Sequence, residues 1–77
     1  MVRVLFFGQT ADVVGKREVP VLTENTTVGS ILNRLVLDYP DLAKLKLQFA
    51  VDQEFATIET RVPYFCELAI FTAVSGG

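Results

Sequence analysis

An α+β fold, with one mixed sheet of about five strands and one main helix packed across a single face, follows from three observations on 77 residues. Val2, Val4 and Phe6 alternate with Arg3, Leu5 and Phe7 near the start, and Leu68 and Ile70 alternate with Ala69 and Phe71 near the end. A period of two in branched and aromatic residues marks strands. Between them, Val28, Ile31, Leu32, Leu35, Val36 and Tyr39 recur at the spacing of one helical stripe. A helix with a single apolar stripe, lying between two groups of strands, buries that stripe by crossing the sheet they form.

The first strand, "MVRVLFFG", turns apolar on both faces by its end, so it belongs at the centre of the sheet. "QTADVVGKR" offers one helical turn, then turn chemistry at Asp12, Gly15 and Lys16. "REVPVL" returns as a second strand, and Pro20, lacking an N–H, places it at an edge or a bulge. Thr27, with Thr26 as the alternative, caps the main helix. Gly29 in its first turn costs about 1 kcal/mol against alanine, which implies that another backbone or side chain passes close. Arg34 and Asp38 sit on the polar side, and Pro40 ends the helix near Tyr39.

"DLAKLK" forms a further short turn, and "LQFAVDQEF" reads as a third strand with Phe49 and Val51 on one face. "DQE" turns into a short piece over Phe55 to Ile58, and "CELAIFTAV" is the last strand. The first and last strands are the most apolar and pair at the centre. That arrangement is the β-grasp, the ubiquitin-like architecture. The chain, 1–77, reads as a single domain with a flexible C-terminal tail over 72–77.

Bulk numbers narrow the function. A chain this short buries only about 60 to 65% of its unfolded surface. The one cysteine, Cys66, gives no disulfide framework and fits a reducing compartment. No secretory leader and no long apolar run are visible, so a cytoplasmic protein without membrane contact is expected. The net charge is −2, and the seven bases are scattered along the sequence. A nucleic-acid partner, which needs concentrated positive charge, is not expected. Hydrophobic residues make up 51% of the chain, more than so small an interior holds. The surplus should form an exposed patch, and such patches mark partner sites.

Side-chain chemistry is sparse. There is no histidine, and one cysteine cannot build a zinc site. Nothing in "PYFCEL" gives Cys66 a base. Asp38 and Asp41 flank a helix end, Asp52 and Glu54 flank a turn, and Gly8, Gly15 and Gly29 match no phosphate loop. No catalytic residue, no metal site and no bound cofactor are expected. What remains is the ending "FTAVSGG". Gly76 and Gly77 make the thinnest peptide available, able to thread a narrow tunnel and place a carboxylate deep inside another protein. A frayed end after the last strand is the other reading.

"VRVLFFGQ", "TVGSILNRLVLDYPDL", "FAVDQEF" and the final "VSGG" occur in the same order as in the small subunit of molybdopterin synthase, which the chain resembles over nearly its whole length. The resemblance implies a sulfur carrier. An adenylating enzyme of the ubiquitin-activating type would use ATP and magnesium to activate the Gly77 carboxylate, which sulfur then converts to a thiocarboxylate. The tail, Val74, Ser75, Gly76 and Gly77, would enter the large synthase subunit and donate sulfur to cyclic pyranopterin monophosphate in molybdenum cofactor synthesis. The small and large subunits would form a heterotetramer, with the catalytic side chains on the large one. Phe7, Phe55 and Phe71 match a partner-binding hydrophobic face. For Phe7 and Phe71 the strand alternation independently points to the open side, against core filling as the alternative. Relative to the family, Phe65, Cys66 and Glu67 replace a Gly-Asp turn followed by Glu, Thr72 and Ala73 replace Pro-Pro, and Asp52 replaces Asn. A carrier for thiamine or another thiolation pathway, and a ubiquitin-like binding module with an inert tail, are the alternatives.

Overall fold

The computed structural model describes residues 1–23, 26–63 and 65–72. Strand β1 (Val2–Phe6) is followed by the short helix α1 (Gln9–Val14) and by β2 (Glu18–Val21). A two-residue strand β3 (Thr26–Thr27) leads into the main helix α2 (Val28–Asp38), and a 3-10 helix covers Pro40–Lys44. Strands β4 (Leu47–Val51), β5 (Glu54–Ala56), β6 (Arg61–Val62) and β7 (Cys66–Thr72) complete the order.

Five strands form one mixed sheet in the order β2-β1-β7-β4-β5. The expected central pair is there: β1 runs parallel to β7, from Val2 opposite Cys66 to Phe6 opposite Ile70. The other pairs of this sheet are antiparallel. Pro20 lies on β2 at one edge, where its missing N–H leaves no inner bond unmade. Val2, Val4, Phe6, Phe49, Leu68 and Ile70 are buried in one cluster with Val28, Ile31, Leu35 and Leu42. The stripe of α2 thus covers one face of the sheet, the β-grasp arrangement. Among the described residues no helix is long and apolar enough to cross a membrane.

Two features depart from the sequence expectation. The piece expected over Phe55 to Ile58 is strand only at Glu54–Ala56, because Thr57 and Thr60 close a turn on each other. The Thr57 N–H donates to Thr60 Oγ1 at 2.9 Å, and the Thr60 N–H donates to the Thr57 carbonyl at 3.1 Å. The second departure is the β3–β6 ladder, two residues on each side, too short to show a period.

That turn serves the start of α2. Thr27 caps the helix, its Oγ1 accepting from the Ser30 N–H at 3.2 Å. The Val28 and Gly29 N–H groups, which have no partner inside the helix, donate to the carbonyls of Thr60 at 3.0 Å and Ile58 at 2.8 Å. A β-carbon on Gly29 would stand 3.0 Å from that Ile58 oxygen and 3.3 Å from the Ile58 Cβ. The small residue is explained by this close approach. Gly29→Ala is expected to lower stability by about 1 kcal/mol, because overpacking against a pinned carbonyl outweighs alanine's helical advantage. Urea unfolding checks this, and a gain in stability would show that the turn yields.

The β4–β5 hairpin turns on Asp52 and Gln53, at φ 48° and 72°, the left-handed pair a two-residue hairpin loop requires. Asp52 also bonds twice to β7. Its N–H donates to the Glu67 carbonyl at 2.9 Å, and its Oδ1 accepts from the Glu67 N–H at 3.0 Å. An Asn side chain has the same oxygen, so aspartate here preserves the turn.

Candidate functional site

Since one face of the sheet is covered by α2, alternation places the remaining side chains on the other. Register carries the pattern across four strands. Leu5 stands opposite Ala69, Ala69 opposite Ala50, and Ala50 opposite Phe55. Phe71, two residues beyond Ala69, shares that face. Its ring centroid lies 6.2 Å from that of Phe55, with the planes tilted by 56°, a favourable aromatic arrangement. Phe7 follows β1 level with Phe71, and its N–H donates to the Ile70 carbonyl at 3.1 Å. Phe55 is 83% exposed and Phe7 52%, while Phe71 is half-buried.

The three phenylalanines therefore share the open face of the sheet with the small side chains Ala50 and Ala69, an apolar surface of the kind a partner covers. Beside Phe7 a hollow of about 570 Å³ is lined also by Leu5, Asp12 and Arg17. The sequence placed Phe7 and Phe71 by alternation. Phe55 was named on the resemblance alone, and the β4–β5 register puts it on the same face, opposite Ala50.

A buried hydroxyl fixes the backbone beneath two of these rings. Thr10 in α1 is wholly buried, and its Oγ1 lies 2.8 Å from the Phe7 carbonyl and 2.9 Å from the Ile70 carbonyl. It accepts from the Phe7 N–H at 3.1 Å. The single hydroxyl proton serves one carbonyl at a time. Sequence reasoning singled out no role for Thr10, which sat in a stretch read as one helical turn. Thr10→Val keeps the shape and removes these bonds, so a loss of about 1–3 kcal/mol is expected in denaturant unfolding. A change below about 0.5 kcal/mol would show the carbonyls satisfied without it.

The opposite margin of the face is charged. Arg3 Nη2 lies 2.8 Å from Glu18 Oε1 on β2, and Nη1 lies 3.6 Å from Glu67 Oε1 on β7. The hydrogen bond from Arg3 holds the Glu18 carboxyl below the usual carboxylate range, and Glu18 in turn raises the guanidinium. A depressed carboxyl contributes stability above its unfolded pKa and loses it as pH falls through the folded one. All three side chains are about half exposed, which keeps that contribution small.

Cys66 is buried in β7. Burial first, and the charge of Asp52 second, push its thiol up, so it stays protonated at neutral pH. Among the described residues no three Cys, Asp or Glu side chains converge as metal ligands. Val74, Ser75, Gly76 and Gly77 lie outside the described residues, as does Ala73. β7 is described as far as Thr72, paired with Leu47, and it ends beside the phenylalanine face.

Comparison with known proteins adds to this geometry. A family model described as the ThiS family matches residues 4–77. Molybdopterin synthase sulfur carrier subunits of Caenorhabditis briggsae and Caenorhabditis elegans are 41% and 37% identical over 81 residues, in each case 99% of this chain and 96% of the relative. The crystal structure of SAMP1 from Haloferax volcanii superposes with a TM-score of 0.82 at 28% identity, over 99% of this chain and 98% of that one.

Proposed function

The chain belongs to the ThiS family, and on that premise we propose that it is the sulfur-carrier subunit of a molybdopterin synthase. The observation that carries this reading is the likeness, over nearly the full length of both chains, to proteins named for that role. Gly77 is the working group. An adenylating partner, using ATP and magnesium, joins its carboxylate to AMP and releases pyrophosphate. A sulfur donor displaces AMP and leaves a thiocarboxylate at Gly77. Val74, Ser75 and Gly76 carry it into the large subunit, where sulfur passes to cyclic pyranopterin monophosphate.

The subunit supplies no catalytic side chain in this scheme. Phe7, Phe55 and Phe71 supply binding, and the exposure of Phe7 and Phe55 supports that role. An exposed apolar face is costly in water and is best explained by a partner that covers it. The assembly is a heterotetramer with the large subunit, and the work is done in the cytoplasm.

Intact mass tests the proposal. The chain is incubated with ATP, magnesium, a sulfide source and an adenylating enzyme of the molybdopterin pathway. The expected result is a shift equal to replacing one oxygen by sulfur. No shift, with an enzyme active on another carrier, sinks the reading.

A second reading is favoured by the likeness to SAMP1, the small archaeal modifier protein 1 of Haloferax volcanii. The same activated carboxylate would acylate an amine and join the chain to another protein. Covalent adducts in place of the sulfur-bearing mass would select it.

A further inference from the structure

The bases scattered along the sequence are gathered by the fold. Four of the seven, Lys16, Arg17, Lys44 and Lys46, lie at the end of the sheet where β7 runs out. The Phe6 N–H, on the last residue of β1, donates to the Arg17 carbonyl at 2.9 Å, and Lys16 precedes it. On the other side Thr72 pairs with Leu47, so Lys46 stands one residue beyond the last pair. Lys44 is bound to Asp41 at 3.3 Å. Lys16, Arg17 and Lys46 are exposed, and among the described residues they form no ion pair. Of the acids nearby, Glu18 is held by Arg3 and Asp41 by Lys44, which leaves Asp12 beside Arg17 and Asp38 against β2. Asp52, Glu54 and Glu67 sit at the opposite end, where β4 turns into β5 and β7 begins. A chain of net charge −2 thus carries three exposed cations without an ion pair among the described residues at one end, the end where β7 reaches Thr72.

We propose that Lys16, Arg17 and Lys46 form a basic rim that docks on acidic side chains around the mouth of the adenylating partner's tail site. The inference rests on the carrier reading above. Residues 73–77, when extended, span about 17 Å, so the cations do not reach the reacting carboxylate. They meet what surrounds the entrance. Long-range attraction by net charge is not available to an acidic chain, but these three cations at one end turn the molecule tail-first and raise the association rate. Exposed pairs are individually weak, which suits a carrier that must leave one partner for another. Arg17 lines the hollow beside Phe7, so the rim continues the phenylalanine face.

The test uses the whole chain and its adenylating enzyme, with sulfur loading followed by intact mass. Replacing all three cations, as K16A/R17A/K46A, is expected to raise the half-saturating carrier concentration about tenfold and to leave the saturated rate and thermal midpoint unchanged. Added salt should raise the wild-type value until it meets that of the variant, which itself responds little. Equal half-saturation and equal salt response for both, with normal loading, would overturn the rim and leave the carrier reading standing. No loading of the wild type would remove both. Retention of the wild type on single-stranded nucleic acid at physiological salt, with loading indifferent to salt, would give the rim to a different partner and overturn the proposal.

Discussion

Removing Gly77 is expected to abolish sulfur loading and leave the fold as it was. The two halves of that expectation have separate causes. Among the described residues, the buried core ends at Ile70 and β7 at Thr72, so the sheet, α2 and the caps are complete upstream. Thermal or denaturant unfolding of the shortened chain should match the parent within about 0.5 kcal/mol. Chemistry should not survive. Shortened by one residue, about 3.3 Å of extended chain, the carboxylate no longer reaches the nucleotide. Misplacement of a reacting group by about 1 Å can already cost a hundredfold in rate. Intact mass reads the result directly. Full loading of the shortened chain, or its unfolding, would each contradict the role given to Gly77.

The second large effect is on assembly. Phe7→Ala should weaken binding of the large subunit by about 2 kcal/mol, roughly thirtyfold. Its cost to folding should stay well below the 3–5 kcal/mol typical of a buried phenylalanine, because the ring is about half exposed. Phe55→Ala, at a side chain 83% exposed, should show the same split more cleanly. Calorimetric titration against the large subunit, paired with urea unfolding of each variant alone, separates the two quantities. A variant that loses several kcal/mol of stability and binds normally once folded would return that ring to the core. Phe71 is half-buried and should lose in both measurements.

The fold was legible where side chains repeat with a period. Val2, Val4 and Phe6 announced β1, and the stripe from Val28 to Tyr39 announced α2, because burial on one side forces that spacing on any sequence. Pro20 and Pro40 marked an edge and an end through the N–H and the torsion that proline lacks. The β3–β6 ladder was not legible, and the short piece expected over Phe55 to Ile58 is strand only over Glu54–Ala56, since both are decided by the turn closed between Thr57 and Thr60. Gly29 hinted at a neighbour, but only the structure names it as the Ile58 carbonyl.

The candidate site was legible to a different degree at each residue. Phe7 and Phe71 followed from strand parity. Phe55 came from the resemblance alone, its register being set by Asp52 and Gln53, and Thr10 depended on a contact across 60 positions of chain. The roles of Val74, Ser75, Gly76 and Gly77 come from the ending of the sequence and from likeness to named carriers. The gathering of Lys16, Arg17 and Lys46 was invisible in sequence because it depends on strand order.

The parallel pairing of β1 with β7 also bears on how the chain folds. Its register ties Val2 to Cys66, so the centre of the sheet closes a long loop, whereas the β1–β2 and β4–β5 hairpins close short ones. Such non-local pairing makes for slow, all-or-none folding. On a ribosome, the first strand can pair with β2, but its central partner is missing until β7 has been made. A truncated product lacking β7 would have neither a finished core nor a tail to offer.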